Sequence, residues 1–184
     1  LRPDYPTIVY TRCIKEVLPE KKVIIGGIEA SLRRFAHYDF WKDKVLPSVL
    51  VLSGADILVY GMAEKSIVQL AHELKKGSKG DYKSLRGLCY LATDEEIGLM
   101  NPQSYAFLPD FERVYKDKMT YAEAVRRQYL EQDPYWGRTL IQSYRGKGFL
   151  VQNPPALPLT EAEFDAIFRL PFQRKWHPRY DKEG

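Results

Sequence analysis

The sequence predicts an α/β fold: a partial, doubly wound parallel sheet of the cobalamin-binding-like or flavodoxin-like kind, followed by an α+β extension. Three observations carry this. Apolar runs at 23–25, 55–61 and 87–93 alternate with helical patterns between residues 6 and 93, the order that builds parallel strands joined by helical crossovers. Two of these runs end in glycine, at Gly26–Gly27 and at Gly61. After residue 100 the pattern changes to helices, a hairpin and a proline-rich connector. The chain therefore divides into a sheet region over 1–100 and an extension over 101–184.

Residues 6–17 place Ile8, Val9, Cys13, Ile14 and Val17 at helical spacing, with Pro6 in the first turn and Pro19 beyond the end. VII at 23–25 reads as a buried strand closed by the two glycines. Residues 29–41 fit one helix with Leu32, Phe35 and Ala36 inward. VLPSVLVL, 45–52, is apolar but interrupted by Pro47, and its state stays open. ADILVYG, 55–61, is a second strand. Residues 64–74 form a helix whose stripe is Ile67, Val68, Leu70, Ala71 and Leu74. KKGSKGD is a polar loop, and GLCYLAT, 87–93, is a third strand. Right-handed crossovers put Gly26–Gly27 and Gly61 on one sheet edge, and such folds bind ligands outside the carboxyl ends of their strands.

In the extension, residues 109–131 hold one or two helices with Tyr121, Ala124, Val125 and Tyr129 as the stripe. Residues 138–152 read as a hairpin turning at Gly146-Lys147-Gly148. NPPALPLT is extended, and Thr160 with Glu163 forms a capping box that opens a helix over 161–169. Residues 170–184 show no periodicity and read as a connector that packs on something outside this chain.

Composition narrows the function classes. The 184 residues are 45% hydrophobic and 28% charged, which is ordinary globular usage. A net charge of +4 makes no independent case for a nucleic-acid partner. No apolar run approaches the length of a membrane span, so no membrane is expected, and no signal segment opens the chain. Cys13 and Cys89 form neither a CxxC pair nor a disulfide framework. Each lies among apolar neighbours, which predicts buried free thiols in a reducing compartment, hence a cytoplasmic protein. The abrupt start at Leu1 reads as a piece of a longer protein.

The candidate site is the stretch after the first strand together with the end of the second. Gly26 and Gly27 carry no Cβ, so backbone there can approach a ligand, or simply turn tightly. Arg33 and Arg34 suit an anion, but helical neighbours point about 100° apart, and a solvated face explains them better. His37 and Asp39 suggest an acid–base pair, yet at that spacing they do not share a helix face. Glu29 and Ser31 complete the polar set. Glu64 either caps the helix it opens or faces a ligand across the sheet edge from Gly61. Lys75, Lys76, Lys79, Lys83 and Arg86 make a basic loop, either solvated or touching phosphate. No His, Cys and carboxylate cluster has metal-ligand spacing, so no metal is expected here. GxSxG, P-loop and GxGxxG signatures are absent from the sequence, and the residues alone name no reaction.

Four stretches, IIGGIEASLRRFAHYDFW, SGADILVYGMAEKSIVQLA, NPPALPLTEAEFD and LPFQRKWHP, together resemble the YgiQ family of bacterial radical-SAM proteins. The likeness covers nearly the whole chain. It implies a non-catalytic N-terminal domain whose partner is the downstream radical-SAM barrel of the same polypeptide. The family's CxxxCxxC motif would follow residue 184, so a 4Fe-4S cluster and S-adenosylmethionine are implied for that downstream part and for no residue here. The order GGIEAS, ADILVYGMAEKSI and LRGLCYL is also similar to the layout of cobalamin-binding domains in other radical-SAM proteins. That places Gly26, Gly27, Gly61 and Glu64 at a cofactor or substrate edge. The histidine motif that ligates cobalamin would lie upstream of Leu1, and Met62 and Ala63 stand where a Gly-Glu-Gly-like turn belongs, which argues against cobalamin. The likeness implies that Glu29, Ser31, Arg33, Arg34, His37 and Asp39 face a ligand or substrate. The alternatives are a cobalamin- or nucleotide-binding module and a non-enzymatic domain that binds RNA or protein.

Overall fold

The computed structural model of the chain describes residues 3–182; residues 1, 2, 183 and 184, the outer ends of the two expected regions, lie outside the described residues. From the N-terminus come α1 (Pro6–Val17), β1 (Ile24–Ile25), α2 (Gly27–Leu32), β2 (His37–Asp39), β3 (Lys44–Leu46), α3 (Val49–Ser53), β4 (Ile57–Val59) and α4 (Glu64–Lys75). Then follow β5 (Leu88–Ala92), α5 (Asp94–Gly98), β6 (Tyr105–Phe107), α6 (Phe111–Lys116), α7 (Lys118–Leu130), β7 (Thr139–Tyr144), β8 (Gly148–Gln152) and α8 (Glu161–Phe168). Six strands make one sheet in the order β1-β4-β5-β8-β7-β6, and β2 with β3 make a separate hairpin.

Alternating side chains send Leu58, Cys89, Leu140 and Leu150 to one face of the sheet, where they pack with Phe35, Val49, Leu50 and Leu108 in the main core. Ile57, Val59 and Leu88 point to the other face, where Leu70 of α4 covers them. Helices therefore lie on both faces, and the α/β class expected from the sequence is the one observed.

The strand directions are more varied than a parallel crossover pattern implies. β1 runs parallel to β4, with Ile24 opposite Ile57 and Ile25 opposite Leu58, so Gly26–Gly27 and Gly61 do share one edge. β6 and β7 are also parallel. β5, however, is antiparallel to β4, with Leu58 opposite Cys89. After α4 the chain takes two short 3-10 turns between Gly77 and Ser84, which carry it back to the end where β4 stops. There the Tyr60 N–H donates to the Gly87 carbonyl (3.0 Å), and β5 starts beside the end of β4.

The expected helix over 29–41 is the largest local correction. α2 stops at Leu32, and the chain continues as β2. Phe35 enters the core, 1% exposed, while Leu32 is 71% exposed. Ala36, released from helical bonding, donates its N–H to Oε1 of Gln142 (3.3 Å). The open stretch 45–52 resolves into β3 and α3, with Ser48 between them accepting from the Leu50 N–H (3.1 Å). Cys13 is exposed rather than buried, while Cys89 is buried. On α4 only the Leu70 part of the predicted stripe is fully enclosed, and Ile67 and Val68 are exposed; on α7 Ala124 is buried while Val125 and Tyr129 are exposed. The hairpin of β7 and β8, the helix pair over 109–131 and the Thr160–Glu163 capping box form where the sequence predicts them.

Two substitutions test where the inward face lies. Phe35→Ala should destabilise the chain by about 3–5 kcal/mol, the cost of emptying a core aromatic site. Leu32→Ala should stay within about 0.5 kcal/mol, as for an exposed position. Urea unfolding at neutral pH measures both; equal effects would restore the continuous helix.

Candidate functional site

The carboxyl ends of β1 and β4 are tied together by one hydroxyl. Ser31 of α2 donates to the Gly27 carbonyl (2.8 Å) and accepts from the Gly61 N–H (3.1 Å). Gly27 and Gly61 have φ of +83° and +72°, a region that side chains with a Cβ avoid. Gly26 is the extended residue that precedes α2. The sequence-predicted edge residues Gly26, Gly27, Ser31 and Gly61 are thus in one place. Glu64 opens α4 with its carboxylate at the positive helix end and is exposed.

Arg34 sits just inside this edge. Its Nε donates to Oε1 of Gln152 (2.5 Å) and Nη1 donates to the Ser31 carbonyl (2.5 Å). The guanidinium lies 5.1 Å from the centre of the Tyr60 ring, close enough for a cation–π contact. The Tyr60 hydroxyl donates to the Asn153 carbonyl (2.6 Å), and burial pushes its pKa far above the ordinary phenol value. The Cys89 thiol is pushed up to about 12 by burial. Neither group ionises near neutral pH, and the buried-side cation at the edge is Arg34.

Glu29, Arg33, His37 and Asp39 form a second cluster, on the flank of α2 that faces α1. Because residues 37–39 are a strand, His37 and Asp39 point to the same side and are both buried, while Tyr38 between them is exposed. This corrects the helical expectation that would have separated them. Asp39 accepts from the Tyr5 hydroxyl (3.0 Å) and the Lys42 N–H (2.9 Å), with Arg33 at 3.9 Å. Burial pushes the Asp39 carboxyl up, but the Lys42 amide, the Tyr5 hydroxyl and Arg33 together outweigh it and leave it below the usual carboxylate range. Glu29 accepts from the Thr7 hydroxyl (2.8 Å) and lies 3.4 Å from Arg33. Arg33 and Lys42 both approach the Tyr5 ring, at 5.6 and 4.5 Å. Arg33 and Arg34 therefore serve different partners.

His37 is not the base of an acid–base pair with Asp39. Its Nδ1 is 3.2 Å from the Phe35 carbonyl, which only accepts, so the proton sits on Nδ1. Nε2 is buried without a hydrogen-bond partner. Burial lowers the His37 pKa below its ordinary value and keeps the ring neutral. The cluster binds α1 and the β2–β3 hairpin to α2, with His37 and Asp39 buried inside it.

Several participants carried no sequence signal. Tyr5 and Thr7 precede the region of interest, and Gln152 meets Arg34 across 118 positions. Tyr60 read only as part of a strand. The basic loop is largely engaged: Lys76 pairs with Glu73 (2.5 Å), Lys83 with Glu96, and Arg86 donates to the Pro155 and Pro134 carbonyls. Among the described residues no group of three or more His, Cys, Asp or Glu is placed to hold a metal ion, and no helix is long and apolar enough to cross a membrane.

Tyr5→Phe isolates the Asp39 hydrogen bond. At neutral pH the variant should be less stable than the parent, because it loses a hydrogen bond to a charged group. Because the folded-state pKa of Asp39 is depressed, its contribution is present above the ordinary carboxylate pKa and is lost as pH falls through the folded value. The variant's deficit should therefore shrink in acid. Denaturant unfolding of both proteins across that range checks it; a deficit that does not change with pH would show that it does not come from the bond to the Asp39 carboxylate.

The chain is 50% identical over 185 residues to a UPF0313 protein of Clostridium perfringens (strain 13 / Type A), covering 100% of this chain and 27% of that one. It is 47% identical over 184 residues to a UPF0313 protein of Clostridium botulinum (strain Okra / Type B1), covering 100% and 28%. The chain thus spans a little over a quarter of the length of the curated relatives it matches. No solved structure matches it. The family model described as Radical SAM N-terminal matches residues 1–184, and the chain belongs to that family.

Proposed function

We propose that this chain is the substrate-side module of a cytoplasmic radical-SAM enzyme of the kind the YgiQ likeness implies, and that the glycine edge of the sheet faces the reaction. The observation that carries this is the Ser31 bridge between Gly27 and Gly61, with the Arg34 cation fixed beside it. It makes a rigid, Cβ-free backbone edge at the place where open α/β sheets receive ligands. Gly26, Gly27, Ser31, Gly61 and Glu64 are the residues proposed to face substrate. Arg34 supplies positive potential from just behind them. Glu29, Arg33, His37 and Asp39 hold the edge in place.

Reductive cleavage of S-adenosylmethionine belongs, in this reading, to the rest of the polypeptide. A 4Fe-4S cluster does not fit the described residues of this chain: Cys89 lies inside the sheet core, Cys13 is on the surface, and no third ligand accompanies either. A cobalamin role is not favoured, because Met62 and Ala63 follow Gly61 where the likeness to cobalamin-binding domains implies a Gly-Glu-Gly-like turn. An RNA role is not favoured either, because Lys76, Lys83 and Arg86 are engaged within the domain.

The test uses the full-length protein, purified without oxygen. Iron and sulfide should be present, and reduction should release deoxyadenosine from S-adenosylmethionine. Glu64→Gln alters an exposed edge carboxylate, so stability should change by less than about 0.5 kcal/mol, while the rate of deoxyadenosine release should change. Absence of cluster and cleavage would remove the radical-SAM reading. Cleavage untouched by Glu64→Gln and by Ser31→Ala would remove the edge from it.

A further inference from the structure

The carboxyl ends of β1 and β4 are bordered by several exposed apolar side chains. On α2, Ala30 is the buried residue. Ile28 and Leu32, one turn apart on the outer side, form an apolar crest in solvent. On one flank, Trp41 at the tip of the β2–β3 hairpin shares a cleft with Glu29 and Arg33 of α2 and is 85% exposed. On the other flank, the Ser31–Gly61 bond brings β4 alongside, and the next residue, Met62, is 64% exposed. Met62 and Phe164 line one hollow together with Gly61 and Leu157. Phe168 then contacts Phe164 with ring centres 4.7 Å apart, and Lys65 pairs with Glu163 to hold α8 there. No residue of α8 is buried.

Single exposed apolar groups are ordinary, but a contiguous set marks an interaction surface. We infer that this rim is the seat on which the remaining polypeptide of the full-length protein packs, through an apolar surface of its own that encloses the glycine edge. The relatives supply the occupant: the part that matches this chain is 27% of their length, which leaves close to three-quarters (100% less 27%) in the same molecule. The rim borders the edge where the ends of β1 and β4 meet the Arg34 cation. The inference rests on the reading above in taking that remainder to be the partner. Its test does not involve turnover, so either can fail alone.

Methionine oxidation of the monomeric full-length protein decides it. Met62 and Met119 are both well exposed here, at 64% and 76%, and Met119 lies elsewhere, beside Asp117 and Glu123. With dilute peroxide and peptide mass spectrometry, Met62 should oxidise several-fold more slowly than Met119. Leu32→Asp, a change at an exposed site, should bring the Met62 rate toward that of Met119 while leaving Met119 unchanged. Equal rates in the unaltered protein would overturn the inference. Protection of Met62 found only in a dimeric fraction would also overturn it, in favour of a second copy as occupant.

Discussion

A two-residue strand at a sheet edge cannot hold its own register, and the glycine edge depends on how β1 is pinned. At its entrance, Asp56 accepts from the Val23 N–H (2.6 Å) and from Lys15 (2.6 Å), while the Asp56 N–H donates back to the Val23 carbonyl (3.0 Å). Charge-assisted bonds of this kind are the stronger ones. At its exit, Ser31 bridges to Gly61. A slip of one residue would turn Ile25 out of the core and Ile24 into it, and would separate Ser31 from Gly61. Both clamps are polar and local to the strand ends, so the short apolar segment between them needs only to fill its place.

The second support comes from inside. Gln142 and Gln152 lie on the core-facing side of β7 and β8, fully buried. A buried amide without partners is costly, and each of these finds a partner in the segment that follows α2. Gln142 takes the Ala36 N–H and the Tyr144 hydroxyl (2.7 Å) on its oxygen and donates to the Pro109 carbonyl (3.0 Å). Gln152 takes Arg34. These two amides favour an exit from the helix after Leu32: continuing it would take the Ala36 N–H from Gln142 and Arg34 from Gln152, and would pull Phe35 from the core. The cation beside the glycine edge is therefore anchored in the centre of the sheet.

What the sequence revealed follows the range of the forces involved. The α8 cap, the β7–β8 turn and the glycine ends of two strands are set by neighbours a few residues apart, and all could be read directly. The direction of β5 is set by the route of the chain through residues 76–87, and alternation alone cannot distinguish a crossover from a return. The end of α2 is set by glutamines more than a hundred residues away, while Leu32 and Phe35 kept a helical spacing that concealed it. The same distance hid half of the site. Ser31 and Gly61 could be suspected together because both flank strand ends. Tyr5 and Thr7 had no such marker, although their hydroxyls hold Asp39 and Glu29. Reading His37 and Asp39 with a helical period placed them apart, and the strand period brought them together.

The arrangement of polar and apolar groups around the edge has a physical logic for a tethered domain. Association of free partners must overcome a loss of about 4–15 kcal/mol in translational and rotational freedom. A partner on the same chain is already present at an effective concentration of order millimolar when its linker is short, so most of that loss does not recur. Full burial of a large apolar side chain contributes about 1.5–3 kcal/mol, and the handful on this rim is then sufficient to hold a neighbour in place. Such docking also needs a surface that does not have to be ordered first. The Ser31 bridge, the Asp56 clamp and the buried amides provide that, because they fix the backbone of the edge before anything covers it. A more extensive apolar face would bind as well but would expose a long liability whenever the halves separate. In the docking proposed here, a short rim on a rigid frame would bind only where the tether brings its partner, with the glycine edge lying between the two parts.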